Sequence, residues 1–301
     1  MTVINTNVAA SITANALTKN ERAMSQAMER LSTGQRINNA GDDAAGLAIS
    51  SRMTTYIKGL DMAVRNANDA ISMVQTADGA AVEVGNMLQR MRELAVQAAS
   101  GTSTATDRDA LNVEFEALTA EIERIADNTQ FNGDNLLDGT IGSSGVVTFQ
   151  VGANASQTIQ VTFADFETAH ASMVGTGGLF EGLNNAAIGS GTLGNNSHDL
   201  ASRDVDTVSN AGTAITQIDF ALDHLNTHRA ALGAVINRLE YAADNLANVS
   251  QNTSASRSRI LDADYASETT ELARTQIIQQ AATAMLSQAN QQAQSVLALL
   301  K

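Results

Sequence analysis

A stripe of apolar residues spaced four then three runs without polar interruption through Ile49, Met53, Tyr56, Leu60, Ala63, Ala67, Ala70, Val74, Ala77, Ala81, Val84, Leu88, Met91, Ala95 and Ala98. A four–three spacing held over this span keeps one face of an α-helix turned to the same partner, and no strand or loop can use it. The stripe therefore predicts one helix of roughly 75 Å at 1.5 Å rise per residue. Gly59, Gly79 and Gly85 lie inside it. Each costs about 1 kcal/mol in helix propensity, so the helix must be held by partners.

The partners are legible as further stripes. Leu111, Phe115, Leu118, Ile122 and Ile125 form a second, with Asp107 just ahead as a cap and Ser100–Thr104 as the turn that folds it back. A third runs Val208, Ala211, Ile215, Ile218, Leu222, Leu225, Arg229, Leu232, Ile236, Leu239, Ala243, Leu246. The C-terminus carries a fourth: Ile278, Ala282, Met285, Ala289, Gln292, Val296, Leu299. The N-terminus has a poorer match in Leu17, Met24, Met28 and Leu31. Between the helices the period changes. Val147, Phe149, Val151 and then Ile159, Val161, Phe163 alternate with polar residues, as half-buried strands do, with 152–157 as the connecting loop. Seven glycines fall among residues 175–194, which read as loop or short strands with little core.

The expected fold is mostly α: long antiparallel helices in coiled-coil packing formed by both chain ends, with a small central region containing a β-hairpin. The N-terminal core helix, 1–45, pairs with the C-terminal one, 256–301. Residues 46–140 and 205–255 build a long helical bundle, and 141–204 form a reduced β and loop outer region. This pairing would set the two ends side by side at one pole and the insert at the other. The terminal seams are narrow and rich in Ala and Gln, and isolated helices of that kind are marginal in water. They are expected to be mobile in the monomer and to order when neighbouring copies bury them. The candidate polymerisation seam is Leu17, Met24, Met28, Leu31, Ile278, Ala282, Met285, Ala289, Val296 and Leu299.

Composition narrows the function classes. Apolar residues make up 44% of the 301, but aromatics only 3%, with no Trp, so small side chains must do the packing. There is no Pro to break a helix and no Cys for a disulfide, a thiolate nucleophile or a thiolate-bound metal. A formal charge of −14 argues against nucleic acid and anionic membrane as partners. The opening residues show no basic segment, apolar core or cleavage site of a Sec-type signal, and no apolar run is long enough to span a bilayer.

No constellation for chemistry emerges. His224 and His228 are four apart on a helix, a spacing that can hold zinc, but they flank the seam and lack a third ligand. Asp42, Asp43, Asp262 and Asp264 read as helix caps and contact residues rather than as an acid–base or calcium pair. Neither GxxxxGK[ST], HExxH nor GxSxG is present. No catalytic residue, cofactor or metal is expected. An enzyme with coiled-coil ends would need its machinery in residues 140–204, where none is legible.

Several long motifs, in order, resemble bacterial flagellin. They are Leu31-Ser-Thr-Gly-Gln-Arg-Ile-Asn-Asn-Ala-Gly-Asp-Asp-Ala-Ala-Gly-Leu-Ala-Ile49, Gln89-Arg-Met-Arg-Glu-Leu-Ala-Val-Gln97, and Thr129-Gln-Phe-Asn-Gly133 with Leu136-Leu-Asp-Gly139. At the other end stand Arg257-Ser-Arg-Ile-Leu-Asp-Ala-Asp-Tyr-Ala266, Gln279-Gln-Ala, Gln288-Ala-Asn290 and the final Leu299-Leu-Lys. The resemblance covers about residues 1–140 and 205–301. Two departures are a short middle and Gln291-Gln-Ala-Gln294 where the family often carries Pro. The resemblance implies a structural subunit of the flagellar filament, exported unfolded through the hollow flagellum to the extracellular filament and assembled under a distal cap. Its implied partners are itself, the cap, an export chaperone and the hook-junction proteins. A hook–filament junction protein, which shares the terminal helices, is the nearest alternative. For Arg90, Arg92, Leu94 and Glu114 the bare residues suggest a solvated helix face with ion pairs worth up to about 1 kcal/mol each. The resemblance makes this an axial contact between subunits and the patch recognised by the innate-immune Toll-like receptor for flagellin.

Overall fold

The computed structural model describes residues 7–143, 145–166 and 204–298, with the side chains of residue 9 and residues 292–298 also outside that description. The elements are α1 (Val8–Thr33), α2 (Ala44–Ala98), α3 (Ala105–Asn128), β1 (Gln130–Phe131), β2 (Asp134–Asn135), β3 (Val146–Gln150), β4 (Thr158–Thr162), α4 (Val208–Leu261) and α5 (Tyr265–Ala298). The long helices at both ends and the β3–β4 hairpin are those the sequence predicts, and the β1–β2 hairpin is additional to them. By internal packing the chain forms two units. One is Met1–Lys58 with Ser250–Lys301, the other Gly59–Val249.

The core of the second unit is the α2 stripe. Leu60, Ala63, Ala67, Ala70, Val74, Ala77, Ala81, Val84, Leu88, Met91, Ala95 and Ala98 are all buried. Seven of the twelve are Ala, so each of these buries little, but together they let α2 and its partners approach closely. Against it pack Ala211, Ile218, Leu225 and Leu232 of α4 and Phe115, Ile122 and Ala126 of α3. Two of the three glycines explain themselves here. A Cβ on Gly59 would stand 3.1 Å from Ala153 Cβ, and one on Gly85 3.1 Å from Leu225 Cδ2, whereas Gly79 meets nothing within 4 Å.

The α2–α3 turn is where the sequence places it, but the cap differs. Thr104 is the N-cap and Asp107 sits three residues in, closing a reciprocal capping box. Arg108 Nε reaches back to the Ala98 carbonyl at 2.9 Å and satisfies the end of α2. After α3, β1 and β2 form a two-residue hairpin turned by Asn132 (φ 55°) and Gly133 (φ 94°). Two positive φ values in a row are what a type I′ turn requires. The sequence reading overlooked this Asn-Gly signal. β3 and β4 pair antiparallel, Val146 opposite Thr162 and Gln150 opposite Thr158. Their alternation turns Ile159 and Val161 into the core, and Phe163 follows them in.

In the first unit the stripe reading of α2 needs correction. Ile49 and Tyr56 are exposed, and the inward positions are Gly46, Ser50, Met53 and Ile57. The four–three spacing allows either phase, and the small Gly46 and Ser50 let the close side turn inward. α1 and α5 pack along each other, which is the pairing of chain ends that the seams predict.

Candidate functional site

The α1–α5 pair is the surface through which the two chain ends recognise each other. Its inward residues on α1 are Ala10, Thr13, Leu17, Asn20, Met24, Ala27 and Leu31, and on α5 Glu268, Leu272, Thr275, Gln279, Ala282, Leu286 and Ala289. Both sets keep three–four spacing, the signature of a coiled-coil seam. The seam is too small and polar for apolar packing to set its register, so hydrogen bonds do. Asn20 is buried and its Nδ2 donates to the Thr275 carbonyl at 2.7 Å. Asn7 caps α1 by accepting from Ala10 N, and its Nδ2 donates to the Ala289 carbonyl at 3.2 Å. Arg30 pairs with Glu268 at 3.1 Å, and Tyr265 Oη donates to the Leu31 carbonyl at 2.9 Å. These four contacts fall on one antiparallel register.

The ends of this pair are tied together. Gly34, in the left-handed region at φ 71°, closes α1 by donating its N–H to the Arg30 carbonyl. Its own carbonyl accepts from Ala263 N, and Arg36 N donates to the Leu261 carbonyl at 2.7 Å. The α1–α2 and α4–α5 loops are thus stitched as a short antiparallel bridge, Gln35 opposite Asp262. The four aspartates act as caps and turn anchors. Asp42 accepts from the N–H groups of Asn38 and Asn39. Those bonds hold its carboxyl below the usual range. Asp43 accepts from Gly46 N, Asp264 from Ala266 N, and Asp262 from the Ser258 hydroxyl.

Of the candidate seam residues, Leu17, Met24, Leu31, Ala282 and Ala289 line the α1–α5 contact. Met28, Ile278 and Met285 instead face outward, Met285 with 63% of its surface exposed. Ile12 and Ile277 are uncovered in the same way. The side chains of Gln292, Val296 and Leu299 lie outside the described residues. Large apolar side chains thus stay exposed on both helices, outside the stripe that each turns to the other.

The second candidate site is a charged face on α2, α3 and α4. Arg90 Nε bonds Glu114 at 2.8 Å while its terminal nitrogen bonds Glu93 at 3.0 Å. Arg92 pairs with Asp219, which lies 127 residues away and carries no sequence signal that could have named it. These partners raise both guanidinium pKa values, so the charges are fixed at any working pH. Leu94 departs from the expectation of a surface residue. It is 1% exposed and belongs to the core, because it sits about one helical turn from the buried Met91 and Ala98. The register residues Asn20 and Thr275 were also missed, although a polar residue on the grid through Leu17, Met24 and Leu31 was the available clue.

His228 of α4 is half-buried against the segment that follows β4. Its Nε2 accepts from Ala164 N at 3.3 Å, and its ring meets Phe166 edge-on at 6.0 Å. Burial pushes its pKa down, against the opposing field of Asp78. His224 is exposed, and no group of three His, Cys, Asp or Glu that could hold a metal occurs among the described residues.

Comparison with known proteins gives two family matches. The model for the bacterial flagellin N-terminal helical region covers residues 4–141, and that for the C-terminal helical region covers residues 215–300. The flagellin of Halalkalibacterium halodurans is 47% identical over 92% of this chain and 91% of its own length. The flagellin of Bacillus subtilis is 42% identical over 99% of both chains. The crystal structure of Bacillus cereus flagellin is 32% identical, covering 60% of this chain and 88% of that one at a TM-score of 0.47.

Proposed function

The chain belongs to the bacterial flagellin family and is a structural subunit of the extracellular flagellar filament, and on that premise we propose which of its surfaces build the polymer. The hook–filament junction reading is not favoured, since the full-length relatives are flagellins. The family is one of structural proteins, which points away from enzymatic activity.

Residues 1–45 and 256–301 are assigned to the filament core, 46–140 and 205–255 to a long helical-bundle domain, and 141–204 to a reduced outer region. The observation that carries this assignment is the exposed apolar surface left on α1 and α5 after they pair. Ile12, Met28, Ile277, Ile278 and Met285 are exposed on helices whose inward stripe is already paired. Exposed apolar side chains on both helices cost solubility unless a partner buries them, and in a homopolymer the partner is the next copy. The inward residues Leu17, Met24, Leu31, Ala282 and Ala289 then hold each subunit's own hairpin of helices, while the outward ones contact neighbours. Val296 and Leu299 extend the same core. Arg90, Arg92 and Glu114, with Asp219, supply an axial contact, and that charged face is the one the Toll-like receptor for flagellin would read. The subunit leaves the cell by the flagellar export apparatus with a chaperone, and joins the filament between the cap and the hook-junction proteins.

Negative-stain microscopy of purified protein after salt-induced assembly tests this. Full-length protein gives long filaments. Deletion of residues 1–45 or 256–301 leaves a soluble helical protein with none. Filaments from either deletion would move the polymer core away from α1 and α5.

A further inference from the structure

In a chain of net charge −14, two neighbouring helical segments carry only positive charge. The segment 44–58 of α2 holds Arg52 and Lys58, the segment 250–261 of α4 holds Arg257 and Arg259, and neither contains a carboxylate. They lie against each other, since Arg257 donates to Thr54 Oγ1 at 3.3 Å. None of the four cations makes a salt bridge among the described residues. Arg257 and Arg259 are held only by hydroxyls. Ile49 and Tyr56 are exposed on the side of α2 that carries Arg52.

The opposite pattern occurs on α3. Its 24 residues carry seven carboxylates and two arginines. Asp107 is used by the capping box, Glu114 by Arg90 and Glu121 by Arg124. Asp109, Glu116 and Asp127 face outward without a salt bridge among the described residues, Glu116 accepting only from the neutral Asn112 amide, on the same side as Val113, which is 67% exposed. Positions 109, 113, 116 and 127 share one helical face.

We propose that the basic pair of segments on one copy docks the acidic outer face of α3 on a second copy. Unlike charges meet around an apolar centre, Val113 against Ile49 and Tyr56. Charge complementarity sets which faces meet and in what register, while the apolar residues supply the buried area. The inference rests on the self-assembly reading above. It adds the orientation rule: the match is between two different patches, so it repeats head to tail and propagates rather than closing as a two-fold dimer.

Charge swapping on the full chain tests it. Arg52→Glu with Arg259→Glu reverses the basic half, and Glu116→Lys with Asp127→Lys reverses the acidic half. Each half-swap alone raises the critical concentration for assembly by about tenfold or more at low salt. Combining all four substitutions in one chain, or mixing the two half-swaps in equal amounts, restores filaments. Circular dichroism melts confirm that each variant is folded, and Arg52→Gln with Arg259→Gln is the substitute should reversal unfold the chain. Normal assembly by the half-swaps overturns the proposal. So does failure of both the four-fold variant and the mixture, since the cations would then serve some other face. Failure of the unaltered chain to assemble overturns the self-assembly reading instead.

Discussion

Replacing Asn20 by Leu separates stability from register in the terminal pair. Asn20 is 8% exposed and spends its amide on the Thr275 carbonyl. That carbonyl lies within α5, where the helix supplies it another donor, so removing the amide leaves no orphaned acceptor. The cost is the net worth of one neutral hydrogen bond, about 1 kcal/mol. Burying a Leu in its place returns about 1.5–3 kcal/mol of apolar transfer, offset by overpacking of about 1–3 kcal/mol. The pair should therefore melt within about 1 kcal/mol of the parent, while one of its register contacts is gone. A slipped register forfeits Asn20–Thr275, Arg30–Glu268, Asn7–Ala289 and Tyr265–Leu31 together. Deleting one of the four lowers that gap by about 1 kcal/mol, which multiplies slipped pairings roughly fivefold. A polar group holding the register of an apolar seam is a known use of buried Asn. The absence of Cys makes the assay clean. The register opposes Leu17 to Gln279, so a disulfide between Leu17→Cys and Gln279→Cys reports correct pairing, and one between Leu17→Cys and Leu272→Cys reports a slip of one heptad. Asn20→Leu raises the second at the expense of the first. An unchanged disulfide pattern would refute the role given to Asn20.

Other perturbations give independent checks. Gly79→Ala, on an exposed helix position where an added Cβ meets nothing within 4 Å, should stabilise by about 0.5–1 kcal/mol in chemical denaturation. Arg90→Ala and Glu114→Ala each remove one end of an exposed ion pair, so melting should barely move while swimming speed and receptor-reporter signalling both fall. Unchanged signalling would separate the receptor patch from this face. His228 has its folded pKa below the ordinary 6.5 because burial disfavours the cation. The stability it contributes is present above pH 6.5 and lost as pH falls from there toward the lowered folded value. His228→Gln keeps an acceptor for Ala164 N but cannot titrate, so denaturant midpoints measured from pH 7.5 to 5 should flatten; a parental slope would assign the dependence to another group.

Repetition made much of this protein legible in its sequence. An apolar residue every three or four positions, kept from Leu60 to Ala98, leaves a helix only one side to bury, and all twelve stripe positions there are buried. Strand alternation in Val147–Phe163 worked for the same reason, because period two fixes which side of a hairpin meets the core. Where the seam thins to Ala, Ser, Thr and Gln, hydrophobicity no longer distinguishes one phase of the helix from the next. Tertiary contact then decided the matter: Ser50 and Thr275 went in, while Ile49, Tyr56, Ile278 and Met285 stayed out. Leu94 shows the converse, a family surface motif whose apolar member is claimed by the core behind it. The ion pair of Arg92 with Asp219 could come only from the folded chain, since nothing local joins residues 127 apart. Periodicity is a property of one helix and is written along the chain. Register, phase and charge pairing belong to two helices at once, and small or polar seams leave them to be settled by hydrogen bonds that exist only after the helices have met.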